Sequence, residues 1–230
     1  MNLNIIIPVY NEKNTIEIVV DKVLQYKELS SKMIIVDDGS TDGTQDILYN
    51  LKIKHPDRIK ILNHAKNLGK GAAIRTGIKN LDSDIVLIQD ADLEYDPSDY
   101  SKLIKPILTN KADVVYGSRF LGGQQVRVHL FWNYLANKIL TLTTNILVNM
   151  NFTDMETGYK VFKTKVLQSI EVQENSFTFE PEITIKLAKK KFIFFEVPIS
   201  YYGRSYEEGK KIKIKDAFLA LYCLFKYRFF

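Results

Sequence analysis

The sequence has one cysteine, Cys223, which excludes an intramolecular disulfide and fits a reducing compartment. Cys223 lies in an apolar run and reads as a small buried hydrophobe rather than a reactive thiol. Long hydrophobic runs are also missing. The first apolar stretch, Ile5 to Ile7, stops at Pro8, too soon and without the basic start of a secretion signal. No segment reaches the about 18 to 20 uninterrupted apolar residues of a membrane span. A cytoplasmic protein is therefore expected. Two phosphate-binding fingerprints are absent as well. No GxGxxG follows the first apolar run, and Asn67-Leu68-Gly69-Lys70-Gly71 continues with Ala72 where a Walker loop needs Ser or Thr. Low-complexity linkers and internal repeats are lacking too.

What is present is ordinary for a globular chain of 230 residues: 46% hydrophobic, 26% charged, net charge +5. That length reads as a single domain with C-terminal elaborations. The charge is uneven. From Gly203 onward there are seven Lys/Arg against three Asp/Glu, which suits a phosphorylated or anionic partner better than nucleic acid.

The first half alternates short apolar runs with helical patterns. Strands are expected at Leu3–Pro8, Met33–Val36, Arg58–Leu62 and Ile85–Gln89, with helices at Asn14–Gln25, Thr44–Leu51 and Gly71–Asn80. Nearly all-apolar strands separated by helices predict an α/β fold with a mostly parallel central sheet covered on both faces. In such sheets ligands gather at the carboxyl ends of the strands. The polar clusters YNE, DDGSTDG and DAD fall at those ends. The second half is less regular. Strands are expected at Asp113–Tyr116 and Phe192–Val197, and helices at His129–Met150, Glu180–Lys190 and Asp216–Phe230.

Asp90, Asp92 and Glu94 alternate directly after an apolar strand. Like charges this close raise one another's pKa and call for a cation. Hard oxygen ligands suit Mg²⁺ or Mn²⁺, which use one or two carboxylates plus substrate phosphates. A lone DxD is more often a solvated acidic loop. Ser40, Thr41 and Asp42 could cap the following helix while Asp38 accepts hydrogen bonds from a ligand.

Seven motifs in order, IPVYNE, VDDGSTDGT, NLGKGAAIRTGI, QDADLEYDP, YGSRF, TDMETGYKVF and FEPEIT, resemble family-two GT-A glycosyltransferases, in particular the dolichyl-phosphate mannose and glucose synthase branch. The likeness runs from about Ile5 to Asp216. It implies a Rossmann-like GT-A domain with residues 1–118 as the nucleotide-sugar and metal half, 119–215 as the acceptor half and 216–230 as an amphipathic helix. It places Pro8, Tyr10, Glu12, Val36 and Asp38 around the base and ribose, and Lys70 among the donor-binding residues. Asp90, Ala91 and Asp92 fall on the metal and diphosphate motif. Glu94 stands where mannose synthases usually carry a Gln metal ligand. Arg119 falls on an arginine that approaches phosphates, and Arg204 and Lys210 on a late pair that closes over the donor. Judged without the resemblance, Arg204 and Lys210 are a solvated charge run.

The implied activity is inverting sugar transfer from a UDP- or GDP-linked donor to a polyprenyl or dolichyl phosphate, with catalysis carried by Asp92, Arg119 and Asp154. An anionic phosphate acceptor needs positioning more than deprotonation. A glycan hydroxyl acceptor needs a carboxylate base, for which Asp154 is the first candidate and Glu180 and Glu182 the reserves. The other readings are a nucleotide-binding scaffold without turnover and a nucleotidyltransferase. Phe218, Tyr222, Phe225 and Phe229 share one face of the last helix. That face either packs on the core or lies in a membrane interface.

Overall fold

The computed structural model describes residues 1–128, 130–205, 207 and 214–230. Seven strands form one sheet in the order β3-β2-β1-β4-β6-β5-β7. They are β1 (Leu3–Val9), β2 (Ser31–Asp37), β3 (Ile59–Asn63), β4 (Ile85–Ile88), β5 (Val114–Ser118), β6 (Lys160–Lys163) and β7 (Phe194–Pro198). The parallel expectation holds for all but β6, which pairs antiparallel with both β4 and β5. Sequence patterning does not announce β6, because KVFK is four residues long with a lysine at each end.

The helices are α1 (Ile16–Gln25), α2 (Thr44–Lys54), α3 (Lys70–Ile78), α4 (Tyr100–Leu108), α5 (Phe131–Val148), α6 (Thr164–Gln168), α7 (Phe179–Lys189) and α8 (Ile214–Phe229). The expected helices are present with ends moved by one to three residues. Helix α4 adds to the expected elements; Pro106 sits in its last turn while Tyr100, Leu103, Ile104 and Ile107 are buried.

Burial on both faces explains the apolar strands. Ile5 and Ile7 of β1 face a core shared with Val19, Val20 and Val23 of α1. Ile6 of the same strand faces the opposite core, with Ile74 of α3 and Ile183 of α7. A third cluster joins α5, α7 and α8 through Leu140, Ile185, Ala220, Cys223 and Leu224. Cys223 is buried there, and desolvation pushes its thiol pKa up.

Helix α5 is inverted. Its buried residues are Asn137, Leu140, Thr141 and Thr144. Its exposed residues include Trp132, Ile139, Leu142 and Ile146. Helix α8 likewise turns Phe218, Tyr222, Phe225 and Phe229 outward. The apolar stripe of the last helix is therefore not the face that packs on the core.

Candidate active site

Five strand ends and one strand start define the site edge. β1, β2, β4, β5 and β7 all finish there, and antiparallel β6 begins there, so segment 154–159 enters the same rim. The loop after β1 is tied to the loop after β2. Asn11, in a left-handed conformation (φ 51°), takes the Thr41 N–H on Oδ1 at 2.8 Å, and the Glu12 N–H donates to Thr44 Oγ1 at 3.1 Å. Asp38 is buried and fully engaged: Oδ1 meets His64 Nδ1 at 2.6 Å and the Leu68 N–H at 3.0 Å, and Oδ2 takes the Gly69 N–H at 2.7 Å. It fixes the turn into α3. Gly69 (φ 102°) is required at that turn, because a Cβ would collide with the Asn175 carbonyl.

The acidic motif leaves the end of β4. Leu93 adopts φ 64°, an unusual conformation for a non-glycine residue that costs of order 1 kcal/mol. Asp90 Oδ1 is 2.7 Å from Lys70 Nζ, and Asp92 Oδ2 is 2.8 Å from Arg204 Nη2. Burial, then the charges of Asp90 and Glu94, pushes the Asp92 pKa up to about 7 against the opposing pull of Arg204. Glu94 is otherwise occupied: it accepts from Tyr201 Oη at 2.7 Å and from the Arg204 N–H at 2.8 Å. Among the described residues no three acidic, His or Cys side chains converge as a metal site. Of the three carboxylates expected to hold a metal, Asp90 and Asp92 each pair with a cation, whereas Glu94 bonds Tyr201 and the Arg204 backbone. Glu94 anchors the segment from Tyr201 to Arg204 that follows β7. Gly158 must stay glycine, since a Cβ would press into Asp90 Oδ2.

A second charged layer lies beside this motif. Arg119 Nε and Nη2 clasp Asp154 at 2.6 and 2.7 Å. The Arg119 N–H and Asn137 Nδ2 also donate to Asp154, at 3.0 and 3.1 Å. Four donors saturate its two oxygens. Burial alone would raise its pKa, but Arg119 and these hydrogen bonds hold it below the ordinary carboxylate range. Such a group is a poor proton acceptor, so the geometry makes Asp154 the positioner of Arg119 rather than a base. Glu196 of β7 supports the pair from below, accepting the Thr153 N–H at 2.9 Å and the Asp154 N–H at 3.1 Å.

Glu180 bridges two lysines. Its Oε1 is 3.5 Å from Lys70, and its Oε2 is in contact with Lys160, which is fully buried. Glu182 accepts the Gln173 and Glu174 N–H groups at 2.7 and 2.8 Å, and Lys186 as well. Both reserve bases therefore hold structure together. Glu156 is different. Its Oε1 is buried without a hydrogen-bond partner, and burial followed by the Glu180 charge pushes its pKa up to about 7.

The other sequence candidates fall as follows. Pro8 and Tyr10 are half-buried at the rim, and Glu12 is 3.6 Å from Arg204. The Val36 side chain packs in the core with Ile34 and Ala73, so a ligand could meet only its backbone. Ala91 is likewise buried. Lys210 lies outside the described residues. Lys160, Glu156 and Glu196 escaped sequence reasoning: each looks like one charge among many, and only the reversal of β6 brings the first two to the site.

Comparison with known proteins gives consistent matches. The model of glycosyl transferase family 2 covers residues 4–170. A dolichol-phosphate mannosyltransferase of Pyrococcus furiosus is 30% identical over 215 residues, covering 91% of this chain and 59% of that protein. The chain thus spans less than two thirds of that relative's length. A polyprenol monophosphomannose synthase of Mycolicibacterium smegmatis is 27% identical, with 87% of this chain and 77% of the relative aligned. A UDP-N-acetylglucosamine–dolichyl-phosphate N-acetylglucosaminyltransferase of Methanococcus voltae is 28% identical, with 96% and 93% aligned. Among solved structures, glucosyl-3-phosphoglycerate synthase of Mycobacterium tuberculosis, crystallised with Mn²⁺, UDP and phosphoglyceric acid, superposes with TM-score 0.74 at 18% identity over 99% of this chain and 78% of that one. At that identity the likeness is one of fold.

Proposed function

Because the chain belongs to glycosyl transferase family 2 and has the GT-A fold, we propose that it moves a sugar from a UDP- or GDP-linked donor to the phosphate of a polyprenyl or dolichyl lipid. The observation that carries this reading is the pairing of Asp90 and Asp92 with Lys70 and Arg204 at the strand ends, beside Arg119 held in place by Asp154. The named relatives act on lipid phosphates, which agrees with a site rich in cations and poor in free bases.

In the transfer, the bond from the sugar's anomeric carbon to the diphosphate breaks as a bond to the acceptor oxygen forms from the opposite face. The nucleoside diphosphate leaves with the electron pair. Asp90 and Asp92 fit a Mg²⁺ or Mn²⁺ ion, since such ions take one or two carboxylates and complete their shell with substrate phosphates. The raised pKa of Asp92 marks a carboxylate with too little positive charge around it. When bound, the ion supplies Lewis-acid charge to the leaving diphosphate. Lys70 and Arg204 add cations to the same group, Arg as a planar fork and Lys as a point charge. Arg119 faces the acceptor side, where a phosphate arrives already anionic and needs orientation only.

The outward apolar faces of α5 and α8 support peripheral contact with the membrane that holds such a lipid. Trp132, Leu142 and Ile146 on one helix and Phe218, Tyr222 and Phe229 on the other are each at least 60% exposed, with Lys226 and Arg228 in the last turn of α8. No described helix is long and apolar enough to cross a membrane. A second reading, transfer to a glycan hydroxyl, is favoured by Glu156 alone, whose raised pKa and unpartnered oxygen are those of a potential base.

The test is nucleoside diphosphate release from a panel of UDP- and GDP-sugars with Mg²⁺ or Mn²⁺, with and without polyprenyl phosphate in detergent, beside Asp92→Ala. Release that needs both metal and lipid phosphate, is lost in Asp92→Ala and survives in Glu156→Gln supports the lipid-phosphate reading. Release that ignores the lipid and disappears in Glu156→Gln replaces it with the hydroxyl reading.

A further inference from the structure

Lys70 does more than neutralise a loop. It is the first residue of α3, and its backbone is pinned because Gly69 packs against the Asn175 carbonyl. Only the side chain is free to move. Its ammonium is 2.7 Å from Asp90 Oδ1 and 3.5 Å from Glu180 Oε1, with the rings of Phe177 and Phe179 at 5.9 and 5.5 Å beside it. It is therefore a cation with two carboxylates within reach, one in the acidic motif and one behind it. Glu180 cannot follow Lys70 forward, because its other oxygen is in contact with buried Lys160. The neighbouring carboxylate repeats the pattern: Asp92 is held by Arg204, which also lies 3.6 Å from Glu12 and 3.5 Å from Glu94.

An ammonium and a divalent ion compete for the Asp90 oxygen, since both carry positive charge in a half-buried place where screening is weak. The closer one comes, the weaker Asp90 holds the other. We infer that Lys70 is a resident counter-ion of the acidic motif that yields Asp90 to the incoming divalent cation and moves onto Glu180 and the donor's diphosphate. Arg204 makes the corresponding exchange on Asp92. The inference rests on the donor-site reading given above. It adds that the protein without donor binds metal weakly, because binding breaks two ion pairs, and that a diphosphate restores partners to both cations. The same two side chains thereby couple metal and donor, each favouring the other.

Binding measured without turnover tests this. Mn²⁺ affinity of the donor-free protein is read by electron paramagnetic resonance, and affinity for UDP or GDP in chelator by calorimetry, for the wild type, Lys70→Met and Arg204→Met. Lys60→Met, on edge strand β3 and bonded to Asn80 just past the C-terminal end of α3, controls for the loss of a remote charge, and thermal unfolding confirms that each variant is folded. Met keeps the aliphatic stem of Lys70 against Phe177 and Phe179. The expected result is opposite in sign for the two ligands. Mn²⁺ should bind about 10-fold tighter to Lys70→Met, the nucleotide about 10-fold weaker, and Lys60→Met should change both less than 2-fold, a 10-fold change being about 1.4 kcal/mol. Arg204→Met should act in the same directions. Unchanged or weaker Mn²⁺ binding in both variants, with nucleotide binding intact in the wild type, overturns the exchange and leaves the donor site standing. A wild type that binds neither nucleotide overturns both.

Discussion

Residues 1–118 and 119–230 bury charged groups to a similar extent but expose very different amounts of apolar surface. In the first half the rule is familiar: α1 buries Ile16, Val19, Val20 and Val23 and turns Glu17 and Asp21 to solvent. In the second half large apolar side chains crowd the surface, above all on α5 and α8. Asp154, Lys160, Glu180 and Glu182 are buried, while Trp132, Leu142, Ile146, Phe218 and Tyr222 are exposed. The difference teaches that the two halves are solvated differently. Residues 1–118 present a surface with few large apolar side chains. Residues 119–230 carry the exposed apolar faces of α5 and α8, the kind of patch that marks an interaction surface.

The sharpest test of the contrast is a matched pair of charge insertions. Val20→Asp in α1 should abolish folding or cost at least about 4 kcal/mol in urea unfolding, because it buries an unpaired charge. Ile146→Asp in α5 should change stability by no more than about 0.5 kcal/mol. Equal losses would erase the distinction. Next in size, Asp154→Ala should cost about 3 to 5 kcal/mol, since it leaves the Arg119 guanidinium buried without its partner. Transfer should fall with it even at temperatures where the variant is folded.

A smaller effect tests the buried acids by pH. The Glu156 pKa is raised from 4.5 to about 7 in the folded protein, so folding favours its protonated form. The associated stability is fully present below about pH 4.5 and is lost as pH rises through about 7, by at most about 3 kcal/mol. Glu156→Gln should flatten that part of the stability profile, and a profile unchanged by the substitution would count against a buried, unpartnered acid. The smallest change is spectroscopic. Trp132 is the only tryptophan and is 73% exposed. Its emission should shift to the blue on adding vesicles with anionic lipid, and Leu142→Glu with Ile146→Glu should weaken that response about 10-fold or more.

How much of this was legible in the sequence depends on how local each signal is. The parallel strands around β1 and the placing of Asp90 and Asp92 were legible because apolar runs and polar strand ends are local signals. The roles of Asp154 and Glu94 were not, because each depends on partners far along the chain: Arg119 and Asn137 for one, Tyr201 and Arg204 for the other. A spacing pattern shows that α5 is a helix and cannot show which face is covered. Only the packing of α5 against α7 and α8 reveals that Thr141, Thr144 and Asn137 point inward.

The cradle that Glu196 forms under segment 153–154 has a consequence for spectroscopy. Two consecutive amide protons point at one carboxylate, whose own pKa is raised by burial and lowered only in part by those bonds. Charge-assisted bonds of this kind draw amide resonances downfield and slow their exchange with solvent. The Thr153 and Asp154 signals should therefore stand apart in a proton–nitrogen correlation spectrum. They give a built-in gauge of whether the floor beneath Arg119 is intact, readable without donor, acceptor or metal.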